Sequence, residues 1–175
     1  MHLINKIILY LVCLMPPALV AGPFIADGFI VIINFLFLYI VFKKKIFYVF
    51  KNNFFKFFLV FYFIIILSSL NSNEILFSLK TSIPYFRHGI FVLAIIYLIN
   101  ENKEIFLKKF FFILLVTFCI LTFDGLFQYF FGKNILGLHH PHPDRVTSFF
   151  VDELKLGSYL ARMMPILIGF LIYYA

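Results

Sequence analysis

The sequence predicts an all-α membrane protein, a polytopic transmembrane helical bundle of about six spans with its N-terminus in the cytoplasm. Three observations lead to this prediction: 63% of the 175 residues are hydrophobic, only 13% are charged, and the apolar residues fall in long runs. A typical soluble domain is about 45–50% apolar and about 25% charged. It could not cover such runs with polar surface, so we exclude a soluble globular domain.

Six apolar runs are long enough to cross a bilayer, which takes about 20 apolar residues of helix. Pro16-Pro17 should kink or end the first run, and Gly22-Pro23 makes the turn into the second. Lys6 and the apolar stretch after it also resemble a signal peptide, but the second run follows at once, which favours an uncleaved span. The predicted spans cover residues 4–21, 24–42, 56–72, 80–99, 108–130 and 154–174.

The lysines between the runs set the predicted orientation. By the positive-inside rule, the side of the membrane that holds most of the basic loop residues is the cytoplasm. Because this distribution explains most of the positive charge, the net charge of +7 does not indicate a nucleic-acid partner. The basic residues on this side are Lys6, Lys43, Lys44, Lys45, Lys51, Lys56, Lys103, Lys108 and Lys109.

All three arginines of the chain, Arg87, Arg145 and Arg162, fall on the opposite, outer side. The orientation rule does not explain that placement. One interpretation is that these side chains snorkel to lipid phosphates. The other is a cationic site for an anionic lipid-linked substrate, because the planar guanidinium donates to two phosphate oxygens at once.

The sixth predicted span carries a stripe of polar residues. Asp152, Lys155, Tyr159 and Arg162 follow i, i+3, i+7, i+10 spacing and share one helical face. A lipid-facing helix would not carry such a face, so we expect it to contact protein or a water-filled cleft. A simple Asp–Lys pair is the alternative interpretation.

The fifth predicted span ends with Thr117, Asp124 and Gln128 on one face. An acidic residue inside a span is a functional hypothesis by default. Asp124 is therefore expected either to accept a proton from a substrate hydroxyl or to pair with a neighbouring arginine.

The cysteines and histidines do not predict a metal or redox site. Cys13 and Cys119 both lie inside apolar runs, as small buried hydrophobic residues do. Short His-rich tracts sometimes bind metal, but prolines hold the tract His139–Asp144 extended. We expect a solvated outer loop there, with no metal and no other cofactor.

Two segments in the second half of the chain share the pattern of one family. Phe123–Leu138 reads FDGLFQYFFGKNILGL and Arg145–Leu160 reads RVTSFFVDELKLGSYL, while Ser82–Arg87 reads SIPYFR. This pattern resembles the O-antigen ligase and O-antigen polymerase family of bacterial membrane proteins. The matching positions are Asp124, Gln128, Tyr129, Gly132, Gly137, Arg145, Phe149, Phe150, Gly157, Tyr159, Leu160 and Pro165.

The resemblance implies a multi-pass enzyme of the bacterial inner membrane. Such an enzyme transfers a glycan on the periplasmic face from undecaprenyl diphosphate to lipid A core or a similar acceptor, among membrane lipids. Arg87, Arg145 and Arg162 would bind the diphosphate of the carrier. The supporting polar residues would be Asp124, Gln128, Lys155 and Tyr159.

Family members are longer than this chain, and their later half carries the catalytic histidine. We therefore expect residues 1–175 to form a single transmembrane domain with an outer loop at about 132–153, as the N-terminal part of a longer protein. That part alone is not expected to turn over substrate.

Other functions remain open at this point. A polysaccharide polymerase of the same family would differ only in its acceptor. A transporter or flippase subunit often contains broken helices and repeated halves; Pro16-Pro17 and Pro84 are compatible with breaks, but the halves do not match. A non-catalytic membrane remnant is the last alternative.

Overall fold

The computed structural model describes residues 2–139, 145–150 and 154–174, and it is helical almost throughout these ranges. The predicted all-α membrane bundle is therefore confirmed. Short 3₁₀ turns cover Phe47–Lys51, Ile83–Tyr85 and Ser148–Phe150. The α-helices in chain order are α1 His2–Cys13, α2 Met15–Ala21, α3 Pro23–Lys44, α4 Asn53–Leu70, α5 Ile75–Ser82, α6 Phe86–Phe131 and α7 Leu156–Tyr174.

Within the described residues, four helical stretches are long and apolar enough to cross a membrane, which supports a multi-pass membrane protein. The count rises to five if α1 and α2 form one broken span. The stretches are Pro23–Lys44, Asn53–Leu70, Ile75–Phe131 and Leu156–Tyr174.

The prediction of six spans differs from this count at α6. The predicted spans 80–99 and 108–130 both run into this helix of 46 residues, which would be about 70 Å long if straight. Asn102 interrupts it, with φ −152° and ψ 59°. Asparagine is a poor helix former because its amide competes for backbone hydrogen bonds. The break therefore falls in the polar stretch between the two predicted spans.

The contacts divide the chain into two compact units. The first unit comprises Met1–Val12 and Asp27–Lys103, and the second comprises Cys13–Ala26 and Glu104–Ala175.

The core of the first unit lies along one face of α3. Ile33, Phe37 and Ile40 are fully buried at the i, i+3/i+4, i+7 spacing of a helical stripe. The ring of Phe37 packs against Tyr97 of α6 at a centroid distance of 5.8 Å. At the end of α3, the Nζ of Lys44 donates a hydrogen bond of 2.8 Å to the hydroxyl of Tyr97.

Aromatic rings form a second packing layer in the first unit, where α4 lies against the beginning of α6. Phe58 packs with Phe55, Tyr62 and Phe86 at centroid distances of 6.2, 6.1 and 6.2 Å. Gly89 lies directly beneath the ring of Phe58, and a β-carbon at this position would overlap the ring. The absence of a side chain at Gly89 is therefore what lets the ring approach the helix backbone.

We expect Gly89→Ala to destabilise the protein by about 1–3 kcal/mol, the usual cost of overpacking a well-filled layer. The neighbouring rings restrict how far Phe58 can move aside. Gly28→Ala is the matched control, because among the described residues no atom outside its own stretch of helix lies within 4 Å of a β-carbon at Gly28. Thermal unfolding in detergent should show a lower midpoint for Gly89→Ala alone; equal midpoints for the two variants would contradict the packing argument.

The core of the second unit lies where the segment after α6 meets the start of α7. Leu121, Phe150, Leu156 and Tyr159 form a buried hydrophobic cluster. Partly buried side chains complete it: Val20, Val146, Phe149, Leu160 and Met163. This cluster positions the candidate functional site at the end of α6 and the beginning of α7.

Candidate functional site

The last turns of α6 carry two fully buried polar side chains, Asp124 and Gln128, each 0% exposed. They lie one helical turn apart, so both face the segment that follows the helix. Asp124 Oδ1 accepts a hydrogen bond of 2.8 Å from the backbone N–H of Ile135, and Oδ2 accepts one from the hydroxyl of Ser148. Both oxygens of the carboxylate are thus engaged with the loop.

Gln128 binds the same segment through its side-chain carbonyl. Its Oε1 accepts hydrogen bonds from the backbone N–H groups of Thr147 and Ser148, at 2.8 and 2.7 Å. Thr147 and Ser148 are themselves 0% exposed. Buried backbone N–H groups need a partner, and here a side chain of α6 supplies it.

Asn134 is the third polar side chain that binds this segment. Its Nδ2 donates to the carbonyl of Ser148 at 3.2 Å, and its Oδ1 accepts from the N–H of Leu138 at 2.8 Å. Between Asn134 and Leu138 the chain forms a turn at Gly137, whose φ of +83° is a conformation that favours glycine. Parts of the predicted outer loop at 132–153 are therefore buried and fold onto α6.

Ser148 adopts a left-handed backbone conformation with φ +52°. For a residue with a side chain this costs about 1–2 kcal/mol, and it persists only where the surroundings enforce it. Here the N–H, hydroxyl and carbonyl of Ser148 bind Gln128, Asp124 and Asn134 respectively. We call the described segment 145–150 the Ser148 turn.

Next to the Ser148 turn lies a cavity of about 350 Å³ that we call the cationic cavity. Lys155, Tyr159 and Arg162 of the predicted stripe all line it. The predicted common face of these three side chains is therefore confirmed, while their role stays a prediction. Asp152, the first residue of the stripe, lies outside the described residues. The other lining residues are Leu19, Pro23, Phe150, Ser158 and Met163.

The hydroxyl of Tyr159 donates a hydrogen bond of 2.9 Å to the carbonyl of Pro16. The Tyr159 side chain is 8% exposed and its ring packs against Phe150 at a centroid distance of 5.7 Å. Tyr159 thus ties α7 to α2 and forms part of the cavity wall.

Arg145 and Arg162 lie in the same unit but line different cavities. Arg145 borders a cavity of about 430 Å³, together with Val146 and Leu160. Ser158 lines both this cavity and the cationic cavity. The two spaces therefore adjoin at the beginning of α7.

Arg87 belongs to the first unit. Its Nη2 forms an ion pair of 2.8 Å with Asp27 Oδ2, and its backbone carbonyl accepts a hydrogen bond of 2.8 Å from Asn34 Nδ2. The two side chains are 32% and 46% exposed. An ion pair this exposed contributes about 0–1 kcal/mol to the stability of the fold. The carboxylate of Asp27 nevertheless reduces the positive charge that Arg87 offers to a phosphate.

Sequence reasoning missed Asp27 as the partner of Arg87, and Asn134 and Ser148 as partners of the α6 side chains. The signal for Asn134 is its place in GKNILG, since asparagine and glycine together are typical of a turn. For Ser148 the sequence contains no comparable signal, because a serine with positive φ is rare.

Among the described residues, no group of three or more His, Cys, Asp or Glu side chains is arranged to hold a metal ion. The predicted histidine tract lies outside the described residues from His140 to Asp144. Comparisons with protein-family models, curated proteins and solved structures find no match for this chain. The resemblance noted above therefore rests on the quoted residues alone.

Proposed function

We propose that the chain binds an anionic lipid-linked glycan carrier of the polyprenyl diphosphate type and forms part of a membrane glycosyltransferase that resembles the O-antigen ligases. The observation that carries this proposal is the cationic cavity. Lys155 and Arg162 lie in one cavity with the apolar side chains of Leu19, Phe150 and Met163. An amphiphile with a charged head and an apolar chain suits such a lining.

The chemistry of the cavity is suited to phosphate. The guanidinium of Arg162 can donate to two phosphate oxygens, and Lys155 adds a second positive charge to the lining of the same cavity. The cavity also lies at the N-terminus of α7, a helix of 19 residues. The N–H groups and dipole at such an end attract negative charge.

The proposed reaction is a displacement at the anomeric carbon of the carrier-linked sugar. An acceptor hydroxyl forms the new C–O bond while the bond to the diphosphate breaks, and the diphosphate leaves with the electron pair. Lys155 and Arg162 would stabilise the charge that develops on the leaving group. The hydroxyl proton passes to a base. In the family that this chain resembles, the catalytic histidine lies in the later half of the protein.

The location and acceptor belong to the same proposal. The placement of the three arginines on the predicted outer side supports a site on the periplasmic face of a bacterial inner membrane. The acceptor would be lipid A core or a similar glycolipid.

Disruption of the gene in the source organism, followed by gel analysis of its surface polysaccharide, tests the proposal. Loss of all attached chains, with carrier-linked polymer accumulating on the outer leaflet, is the expected result for a ligase. A band with a single repeat would assign the chain to a polymerase of the same family. Carrier-linked glycan trapped on the cytoplasmic leaflet would identify a transporter, and an unchanged polysaccharide would also overturn the proposal.

A further inference from the structure

The Ser148 turn supplies a wall to each of three neighbouring cavities. Phe150 lines the cationic cavity, and Arg145 and Val146 line the adjoining one. Phe149 lines a third, apolar cavity of about 300 Å³, together with Leu121 of α6. The shape of all three spaces therefore depends on one short segment.

The left-handed backbone at Ser148 sets the direction in which the chain enters Phe149 and Phe150, and so decides where both rings lie. The reversal at φ +52° precedes Phe149 and Phe150 directly, and the two adjacent rings line different cavities. Phe150 then packs on Tyr159, whose hydroxyl binds Pro16 of α2. A continuous series of contacts thus leads from Asp124 through the turn to the wall of the cationic cavity.

We infer that Asp124 and Gln128 are positioning residues that hold the Ser148 turn in its left-handed form, and so preform the cationic cavity for its ligand. This inference rests on the proposed function, since the ligand is the polyprenyl diphosphate named there. It assigns Asp124 a role other than that of a proton acceptor.

The burial and the hydrogen bonds of Asp124 favour a positioning role over a role as proton acceptor. A general base must come within hydrogen-bond reach of the proton that it removes. Asp124 is 0% exposed, and its two oxygens accept from Ile135 and Ser148. The carboxylate is thus occupied by the loop, and Asp124 does not line any of the three cavities that the Ser148 turn borders.

The test measures binding of labelled undecaprenyl diphosphate to the purified full chain in lipid nanodiscs. Asp124→Ala and Ser148→Ala should each weaken binding at least about tenfold, because each removes the bond between carboxylate and hydroxyl. Asp124→Asn should remain within about threefold of wild type. Its amide keeps an acceptor for Ile135 and can donate to the hydroxyl of Ser148.

Leu114→Ala is the control for general loss of stability. Leu114 is fully buried in α6, in the same unit as the Ser148 turn but not in it. Its removal should lower the unfolding temperature and leave the affinity within about threefold of wild type. If Leu114→Ala and Asp124→Ala lost affinity equally, the loss of binding would be explained by lower stability of the protein, and the inference would be overturned.

A ligand-free readout separates this inference from the proposed function. The chain contains no tryptophan, so Phe149→Trp places a single fluorescent reporter on the turn. Adding Asp124→Ala should shift its emission to longer wavelength and increase quenching by acrylamide, whereas adding Asp124→Asn should change neither.

Each combination of results has one meaning. If wild type binds no polyprenyl diphosphate but the reporter responds as expected, the proposed function fails and the positioning of the turn stands. If Asp124→Asn loses binding as fully as Asp124→Ala, the charge of the carboxylate matters and the positioning role is wrong. An unresponsive reporter in Asp124→Ala would likewise overturn it.

Discussion

Replacing Lys155 and Arg162 together by alanine should weaken binding of undecaprenyl diphosphate at least about 100-fold. Both side chains line the cationic cavity. A hydrogen bond to a charged group contributes about 1.5–3 kcal/mol. Two such bonds to one diphosphate contribute about 3–6 kcal/mol to the free energy of binding, and each 1.4 kcal/mol is a factor of ten in affinity. Equilibrium binding to the purified protein in nanodiscs measures the effect.

The matched control for this prediction is the pair Lys80→Ala and Lys133→Ala. It removes the same amount of charge from two exposed residues that do not line the cavity. Its affinity should stay close to that of wild type apart from a small screened charge effect. Similar losses in the two double variants would show that bulk charge rather than the cavity attracts the lipid.

A conservative substitution refines the same prediction. Arg162→Lys keeps the positive charge but loses the planar fork that donates to two oxygens. We expect an intermediate loss of about tenfold. A wild-type affinity for this variant would indicate that Arg162 acts only as a charge.

Gln128→Leu should lower the free energy of unfolding by about 2–6 kcal/mol. The side chain is fully buried, and its Oε1 accepts from the N–H groups of Thr147 and Ser148. Leucine leaves both N–H groups buried without a partner, at about 1–3 kcal/mol each. Within the described residues the Nε2 of Gln128 has no hydrogen-bond partner, so the loss arises at the carbonyl oxygen.

Thr117→Val is the control, because Thr117 lies on the same helix and is also buried. Its hydroxyl donates only to the carbonyl of Ile113, one turn earlier in the helix. That bond can be lost at a cost of about 1 kcal/mol. Thermal or denaturant unfolding in detergent compares the two variants, and equal stabilities would contradict the role of Gln128 in holding the turn.

The two predictions concern different properties of the same site. The cations act on the ligand, whereas Gln128 acts on the loop that shapes the cavity. A variant of Gln128 that unfolds at lower temperature and also binds weakly is therefore expected. A cation variant should bind weakly with an unchanged unfolding temperature.

The predicted and observed helices agree best where the apolar runs are long. The predicted spans 24–42 and 56–72 correspond to α3 and α4, which cover Pro23–Lys44 and Asn53–Leu70. Hydrophobicity over about 20 residues is a local property that a sequence states directly. The beginning of the fourth predicted span shows the limit, since the 3₁₀ turn around Pro84 delays the long helix to Phe86.

Within the candidate site, spacing along one helix was sufficient to group Lys155, Tyr159 and Arg162. Tyr159 and Arg162 lie near the beginning of α7 and Lys155 directly precedes it, so the helical repeat alone places the three on a common face. The same helical repeat places Asp124 and Gln128 on one face of α6. Local periodicity says which residues share a face, but not what that face meets.

The partners of those faces came only from the tertiary structure. Asp124 was expected to pair with an arginine or to accept a proton, and its partners are the N–H of Ile135 and the hydroxyl of Ser148. Arg87 pairs with Asp27, 60 residues earlier in the chain. Contacts between distant residues depend on how the chain turns, and a positive φ at a serine is not encoded in any local pattern.

The sequence by itself therefore determined that this protein is an all-α membrane protein with several spans, and which polar residues share a helical face. Both follow from local hydrophobicity and from the 3.6-residue repeat. The tertiary structure alone decided that α6 binds the Ser148 turn and that this turn lines the cavity holding Lys155 and Arg162. Those features arise because buried N–H, hydroxyl and carboxylate groups must find partners wherever the folded chain brings them.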